Sequence, residues 1–524
     1  MAKYSVIIKN GTVFDGTGKK PERIDIGVKD DEIKRLGDLQ KETADMVIDA
    51  SGKYVSPGFV DITNHSDTHW SLFSQPNQES MITQGVTTAI GGSCGLSLAP
   101  FTGSFSKKEI GRWVDMSQVN ISWQTTGEFL DVLERRALGL NFGSFAGLDT
   151  IISSFKSGDD FSKKIKFLME SSLKDGAIGV SFNFGISLQK KLNNDEIIEL
   201  FNFLSKAKIV SKIHLENEGK DMLPAVSDLL NIARKTGARM HISHLRAIGR
   251  GAWVYLKPAL DMIRRANKEG LSITCDFFPY TRTGSSLFEL LPSWIRKFST
   301  EELKDIFSTK KGDSRLEDVK EYLKQITLHY DKIIIATADK EYGIVGKTLK
   351  QLAEEAEKSG EEIILDVLKA NDMRVSIFND VISEKNIAEI AMEKFSAISS
   401  DGVGYNIKNE NKNDLPHPRS FGAFPKFFDI FVRGIKILSW EEAVYKMTGL
   451  PAKIIGLTNR GLIKKGYKAD LVVFDPNTIA SMSSYEDPYK YSVGVEHVFI
   501  NGKAAVSDSK PSGVLSGKVL RRRL

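Results

Sequence analysis

Four residues able to bind or work beside a metal ion, Cys94, His214, His244 and Asp401, each close a short strand-like run. Cys94 lies in Gly-Gly-Ser-Cys-Gly-Leu-Ser-Leu-Ala-Pro, just after a β-rich stretch beginning at Val86. One thiolate and two imidazoles form a zinc donor set that leaves a coordination position open for water. A zinc ion so held acidifies water and polarises a carbonyl oxygen, and a carboxylate such as Asp401 can move the proton. That chemistry is hydrolysis. A single Cys or His in a chain of 524 residues is usually packed or solvated; the signal is four ligand-type residues, all at strand ends.

The elements that must position them alternate between strand and helix. Strands are expected at 58–63, 86–91, 142–147, 177–181, 209–214, 239–244, 272–278 and 396–400, with amphipathic helices at 194–207, 223–236 and 256–269. Eight strands alternating with helices imply an α/β fold, a parallel (β/α)8 TIM-like barrel over residues 56–459. In that architecture functional side chains sit at the carboxyl ends of strands. Residues 1–55 and 460–524 read as short strands and turns, together one small β-sandwich. A charged helical segment at about 285–327 is an insertion after the seventh strand, placed to act as a lid.

Alternation puts Asp61, Thr63, His65 and Asp67 on one face after the first strand. The same parity points His241, three before His244, away from the site toward the helix layer. His69 is a candidate for a place behind the ligands, Cys275 for the core, and His329 and His497 for structural or surface roles.

Composition is that of an ordinary globular enzyme, 41% hydrophobic and 27% charged. With 72 basic and 67 acidic residues, the net charge of +5 makes no case for nucleic acid as the main ligand. The terminal Arg521-Arg522-Arg523 reads as a solvated tail. Two cysteines exclude a disulfide framework and suit a reducing interior. The chain shows neither a signal peptide nor a run of ~20 apolar residues, so a cytoplasmic enzyme acting on a small molecule, away from membranes, is expected. Its oligomeric state cannot be read from the sequence.

Further motifs run from end to end. They include Ile-Lys-Asn-Gly-Thr-Val-Phe-Asp-Gly near the start, Ser-Pro-Gly-Phe-Val-Asp at 56–61 and Gln-Gly-Val-Thr-Thr at 84–88. Cys-Gly-Leu-Ser-Leu-Ala-Pro at 94–100, His-Leu-Glu-Asn-Glu-Gly at 214–219, His-Ile-Ser-His-Leu-Arg at 241–246 and Phe-Pro-Tyr-Thr at 278–281 follow. Ser-Asp-Gly at 400–402, His-Pro-Arg at 417–419, Lys-Met-Thr-Gly-Leu-Pro-Ala at 446–452 and Tyr-Lys-Ala-Asp-Leu-Val-Val-Phe-Asp-Pro at 467–476 complete the set. On these motifs the chain resembles the amidohydrolase superfamily, and within it the D-aminoacylases, which deacylate N-acyl-D-amino acids.

The resemblance implies that Cys94, His214 and His244 hold the tight zinc and that Asp401 is the catalytic aspartate. It also implies that Arg419, Tyr280 and Arg246 hold the substrate's α-carboxylate, Arg246 standing where the family usually has Lys. An arginine can grip a carboxylate through two parallel hydrogen bonds.

Three departures stand out. The family's first-strand His-x-His is Thr63-Asn64-His65, which removes one ligand of a second, weaker metal site. One tightly held zinc is therefore expected, with His65 left to touch substrate or a loose second ion. Glu216 replaces a usual Arg, and residues 181–187 depart from the usual Ser-x-Gly-Leu. Glu216 would add negative charge beside the site and disfavour acidic substrates. Two other readings compete with a linear-amide hydrolase. A cyclic-amide hydrolase of the hydantoinase or dihydropyrimidinase kind would need a lysine at the fourth strand end, and the first lysines there are Lys190 and Lys191. A barrel that had lost activity and become a binding protein would be expected to have lost ligands beyond position 63.

Overall fold

Eight short runs rich in Val, Ile, Phe and Ala bury both faces, as strands do when helices cover a parallel sheet. In the computed structural model, which describes residues 3–101, 110–111, 113–153, 155, 161–184, 192–308, 314–326, 328–411 and 413–522, these runs form two parallel sheets. The first orders Phe59–Asp61, Val86–Gly91 and Asn141–Ser144. The second orders Ala146–Gly147, Val180–Asn183, Val210–His214, Arg239–Ile242, Ile273–Phe277 and Ser396–Ile398. Only Phe145 separates the two along the chain, its N–H bonded to Gly91 while the Ala146 N–H bonds to Gly179. At the other margin a parallel bridge joins Asn64 to Gly402, and the Asp401 N–H donates to the Thr63 carbonyl.

The intervening helices begin and end on local signals. Thr125 and Glu128 form a reciprocal capping box at Thr126–Arg136, and Asn193 with Glu196 does so at Asn194–Lys206. Helix Met222–Thr236 stops at Gly237 in the left-handed region. Their apolar faces, including Leu200, Leu229 and Ile263, pack with the strands in one large core.

The segment after the seventh strand is more than two helices, which corrects the sequence reading of 285–327. Thr300–Ser308 and Ser314–Gln325 are helical, but they belong to a larger unit with its own antiparallel sheet. There Val375–Asp380 lies between Arg282–Ser286 and Ile333–Ala338. Leu287, Ile306, Val319, Ile335, Ile364 and Leu368 give this unit a separate core. The strand Arg-Thr-Gly-Ser-Ser carries no apolar run, so hydrophobic pattern alone does not reveal it.

The chain ends build a four-stranded and a seven-stranded sheet. Tyr4–Lys9 is central to the former, and Leu471–Phe474 pairs with Tyr54–Pro57 in the latter. Val6, Ile8, Ile26 and Val28 of one sheet share a core with Val55, Leu471 and Phe499 of the other. The last described residues, Arg521 and Arg522, are not a solvated tail. Arg521 pairs with Asp131 at 2.5 Å and Arg522 donates to the Ala207 carbonyl at 2.8 Å, while Arg523 lies outside the described residues. No helix among the described residues is long and apolar enough to cross a membrane.

Candidate metal centre and active site

Three strand ends converge on one point. Cys94 follows Gly91 and Gly92 in a turn with φ 54° at the cysteine. Only glycine fits at position 92: its φ is +67°, and a Cβ there would lie 2.0 Å from the Phe145 carbonyl oxygen. His214 is the last residue of its strand, and His244 lies two beyond Ile242 with φ 36°. Cys94 Sγ is 3.2 Å from His244 Nε2, and the His214 and His244 rings are 4.6 Å apart. Ligand atoms of all three lie within 4.8 Å of one another.

The electrostatics suit a cation. Burial alone would raise the Cys94 thiol, but His244 and His214 outweigh it and hold the group well below its ordinary value. His214 Nδ1 is buried without a hydrogen-bond partner. His244 Nδ1 faces Glu218 Oε1 at 3.2 Å, which fixes the ring and leaves Nε2 toward the cysteine. A soft thiolate with two imidazoles fits zinc.

Asp401 stands beside this cluster at φ 48°, just past its strand. Its Oδ1 is 3.0 Å from His65 Nε2, and its Oδ2 is 2.7 Å from Arg419 Nη1 and 3.8 Å from Arg246 Nη1. Burial works against its charge, but Arg419, His244 and His65 hold the carboxyl well below the usual range. Arg246 also pairs with Glu218 Oε2 at 3.0 Å. Both guanidiniums lie over the Phe278 ring, at 5.8 and 4.9 Å. The Arg419 N–H donates to His417 Nδ1 at 3.1 Å, and His417 Nε2 faces the Arg282 carbonyl at 3.0 Å, so this imidazole is neutral with its proton on Nε2. A cavity of about 440 Å³ is lined by Cys94, His214, His244, Arg246, Asp401 and Arg419, and its far wall comes from the 282–380 unit.

Other residues fall elsewhere than expected. Tyr280 does not line this cavity. Its phenol donates to the Pro418 carbonyl at 3.2 Å and its ring is buried against His417 and Tyr485. His241 does not face the helix layer. Parity fails because the strand ends at Ile242 and His244 turns to positive φ, so both histidines serve the interior. His241 Nε2 meets Asp276 Oδ2 at 2.7 Å, and the other Asp276 oxygen takes the His244 N–H at 2.9 Å. Beyond Asp61, where the first strand ends, the four residues placed on one face each bond at the strand ends. Asp61 bonds Ser400, Thr63 bonds Asp276, His65 bonds Asp401, and Asp67 accepts from the Gly92 N–H.

His69 stacks on Trp113 at 4.6 Å, and burial with the nearby His65 pulls its pKa to about 3. Cys275 is buried in the core as expected. Glu216 is exposed and off the cavity wall, so the expected negative charge is instead the buried Glu218. Glu218, Asp276 and the buried Lys212 escaped the sequence reading, although Glu218 stands in the quoted His-Leu-Glu-Asn-Glu-Gly. Part of the 181–187 loop, with Lys190 and Lys191, lies outside the described residues.

A model of the amidohydrolase family matches residues 416–506. The chain is 26% identical to a D-aminoacylase of Alcaligenes xylosoxydans xylosoxydans, over 99% of this chain and 98% of that one. It superposes at TM-score 0.84 and 24% identity on an N-acyl-D-glutamate deacylase of Bordetella bronchiseptica, complexed with zinc and a phosphonate mimic of the tetrahedral intermediate. That match covers 99% of this chain and 100% of the other. A D-aminoacylase described as having a binuclear metal centre, with one-metal activation and second-metal attenuation, superposes at TM-score 0.82 and 27% identity, with the same coverage. Fold and site together define a metal-dependent hydrolase architecture. Over nearly its whole length the chain is similar to D-aminoacylases and N-acyl-D-amino-acid deacylases, and its residues 416–506 match the amidohydrolase family.

Proposed function

We propose that this chain hydrolyses the amide bond of linear N-acyl-D-amino acids, releasing a D-amino acid and a carboxylate. The observation that carries the reading is the Cys94, His214 and His244 cluster sharing one cavity with Asp401, Arg246 and Arg419. The zinc-bound and D-aminoacylase relatives support it. The same reading makes the parallel strands a closed barrel over 56–459 and the terminal sheets a sandwich of 1–55 with 460–524, the family's architecture. It places the enzyme in the cytoplasm, where a thiolate ligand stays reduced.

Cys94, His214 and His244 would hold one zinc ion, which supplies a Lewis acid that polarises an amide carbonyl and acidifies a neighbouring water. Arg246 and Arg419 grip the α-carboxylate. Asp401, ionised in the free enzyme, takes a proton from the attacking water and delivers it to the departing nitrogen. His65 holds one oxygen of Asp401, and the other lies against Arg419 and, farther off, Arg246 on the cavity side. A carboxylate entering at Arg419 shares the guanidinium that Asp401 otherwise has to itself, and so raises the proton affinity of Asp401 as substrate binds.

The test is turnover by zinc-loaded protein of N-acetyl-D-methionine, N-acetyl-L-methionine and a hydantoin. Hydrolysis of the D isomer alone is expected. Preference for the hydantoin supports a cyclic-amide hydrolase, and neither metal nor turnover supports a binding protein. Asp401→Asn should lower kcat at least a hundredfold while zinc content stays at the wild-type level.

A further inference from the structure

Lys212 is wholly buried, two residues before His214 on the same strand. A long cationic side chain is almost never enclosed without a specific role for its charge. Its ammonium donates to the Ile62 carbonyl at 2.6 Å and to the Ser93 hydroxyl at 2.9 Å, and lies 5.4 Å from the Phe145 ring centre. Ile62 directly precedes Thr63, and Ser93 directly precedes Cys94. The one ammonium therefore joins three strand ends: the one that lacks a histidine at position 63, the one that carries the thiolate, and its own.

Negative groups crowd this end of the strands. Asp61, Asp67, Asp276 and Asp401 are all buried there, together with the Cys94 sulfur. Arg246 and Arg419 answer them from the cavity side, where Asp401 and Glu218 take both guanidiniums. Lys212 is the cation on the strand side. The hydroxyl of Thr63 is itself committed to Asp276 Oδ2, at 2.7 Å. A neutral hydroxyl is a far weaker ligand for a second ion than an imidazole, and a positive charge lies against its neighbour.

We propose that the Lys212 ammonium is a fixed second cation of this centre, standing in for a second metal ion and pinning the turn that presents Cys94. Two cations close together in a water-poor interior repel strongly, so Lys212 closes the centre to a further divalent ion. The hydrogen bond to Ser93 holds the thiolate turn in its strained conformation, φ 54° at Cys94. Lys212 is a positioning residue and need not touch substrate. This inference rests on the zinc-hydrolase reading for the identity of the first ion, but its measurement does not use turnover.

The experiment counts zinc per chain by elemental analysis, after exposure to excess zinc and desalting, in wild type, Thr63→His, Lys212→Gln and the double variant. Circular dichroism melting establishes that each is folded. Gln keeps an N–H donor and drops the charge. Wild type and Thr63→His are expected to hold one ion, and the double variant two, its second ion at least tenfold tighter than in Thr63→His alone. Lys212→Gln should also lose its single zinc to a chelator at least tenfold faster than wild type. Lys212→Arg in the Thr63→His background retains the charge and should hold one ion. Two ions in Thr63→His alone, two in Thr63→His with Lys212→Arg, or one in the double variant overturns the proposal. If zinc counts follow expectation but no N-acyl-D-amino acid is hydrolysed, the functional reading falls and the role of Lys212 stands.

Discussion

Glu218 is shared by two roles: one oxygen orients the His244 ring and the other anchors Arg246. Burial opposes its charge, but Arg246 and His244 outweigh that and hold the carboxyl at about 2. Glu218→Gln keeps the volume and removes the charge, so it loosens a ligand and a substrate grip together. We expect zinc affinity to fall about 10–100-fold, as for other groups behind metal ligands, and KM to rise more than kcat falls. Chelator competition checks the first and steady-state kinetics the second; wild-type zinc affinity in the variant would remove Glu218 from the metal's support. Asp414, on the cavity wall, is the opposite case. Its Oδ1 is buried without a partner, and burial raises its pKa to about 6 from 3.8. Its folded form thus holds a proton that the unfolded chain has released between pH 3.8 and 6, so its contribution to stability falls as pH rises through that window. Asp414→Asn should therefore stabilise the protein at pH 7.5 by on the order of 1 kcal/mol, discounted for partial solvent access, and change little at pH 3.5. Equal shifts in Tm at both pH values would refute this. The ligands were readable because their residue types are chemically scarce. Glu218, Asp276 and Lys212 were not, since carboxylates and ammoniums are common in any sequence and burial alone singles them out.

Strand ends concentrate the irregular backbone of this chain. Cys94, His244 and Asp401 all have positive φ, between 36 and 54°. Such conformations cost roughly 1–3 kcal/mol each outside glycine, so neighbouring elements must hold them. These turns also explain where pattern reading failed. The alternation count through residues 239–244 assumes extended backbone, and that strand stops at Ile242. Most of the eight strands were readable because apolar residues dominate them and both faces are buried, whereas Arg282–Ser286 is polar and gave no such signal. Lys446 shows how an element is anchored. It lies in the helix Trp440–Met447, and its ammonium donates to the Glu393 and Ser396 carbonyls and to the Ser396 hydroxyl. It thereby fixes the entry to the Ser396–Ile398 strand, whose far side leads to Asp401. Lys446→Met removes the charged donor to the Ser396 carbonyl and leaves Glu393 with only its bonds from Ser396, at a cost of about 1–3 kcal/mol. We expect a lower urea midpoint with the same slope, and kcat of the folded fraction within twofold of wild type. An unchanged midpoint would mean that the tie contributes nothing to the strand's position.

The two chain ends meet the parallel strands through one buried polar network. Arg460, 6% exposed, donates to Asp470, 4% exposed, and to Asn501 Oδ1 at 2.7 Å. Asn501 and Asp470 both contact Asn141, at 2.8 and 3.1 Å, and Asn141 opens the Asn141–Ser144 strand. The Lys518 N–H adds a bond to Asn141 at 3.0 Å, so the final segment is sewn to the same residue. None of this was visible in the sequence, where residues 460–524 offer only short strands and turns, because Asn141, which ties the network to the parallel strands, lies more than 300 positions from its other members. Arg460→Met removes one charge and leaves Asp470 buried without its partner, which costs about 3–5 kcal/mol. Asn141 Nδ2 and the Asn501 N–H would then donate to a carboxylate whose cation is gone. The loss should therefore loosen the terminal sheets and the parallel strands together, not the chain ends alone. We expect one cooperative unfolding transition at lower urea, monitored in parallel by circular dichroism and by zinc release. If the terminal segments instead melted in a separate early step while zinc stayed bound, the network would be a local tie and the two parts would fold independently. Arg460→Met with Asp470→Asn should recover part of the loss, since the orphaned charge is the larger share of the cost.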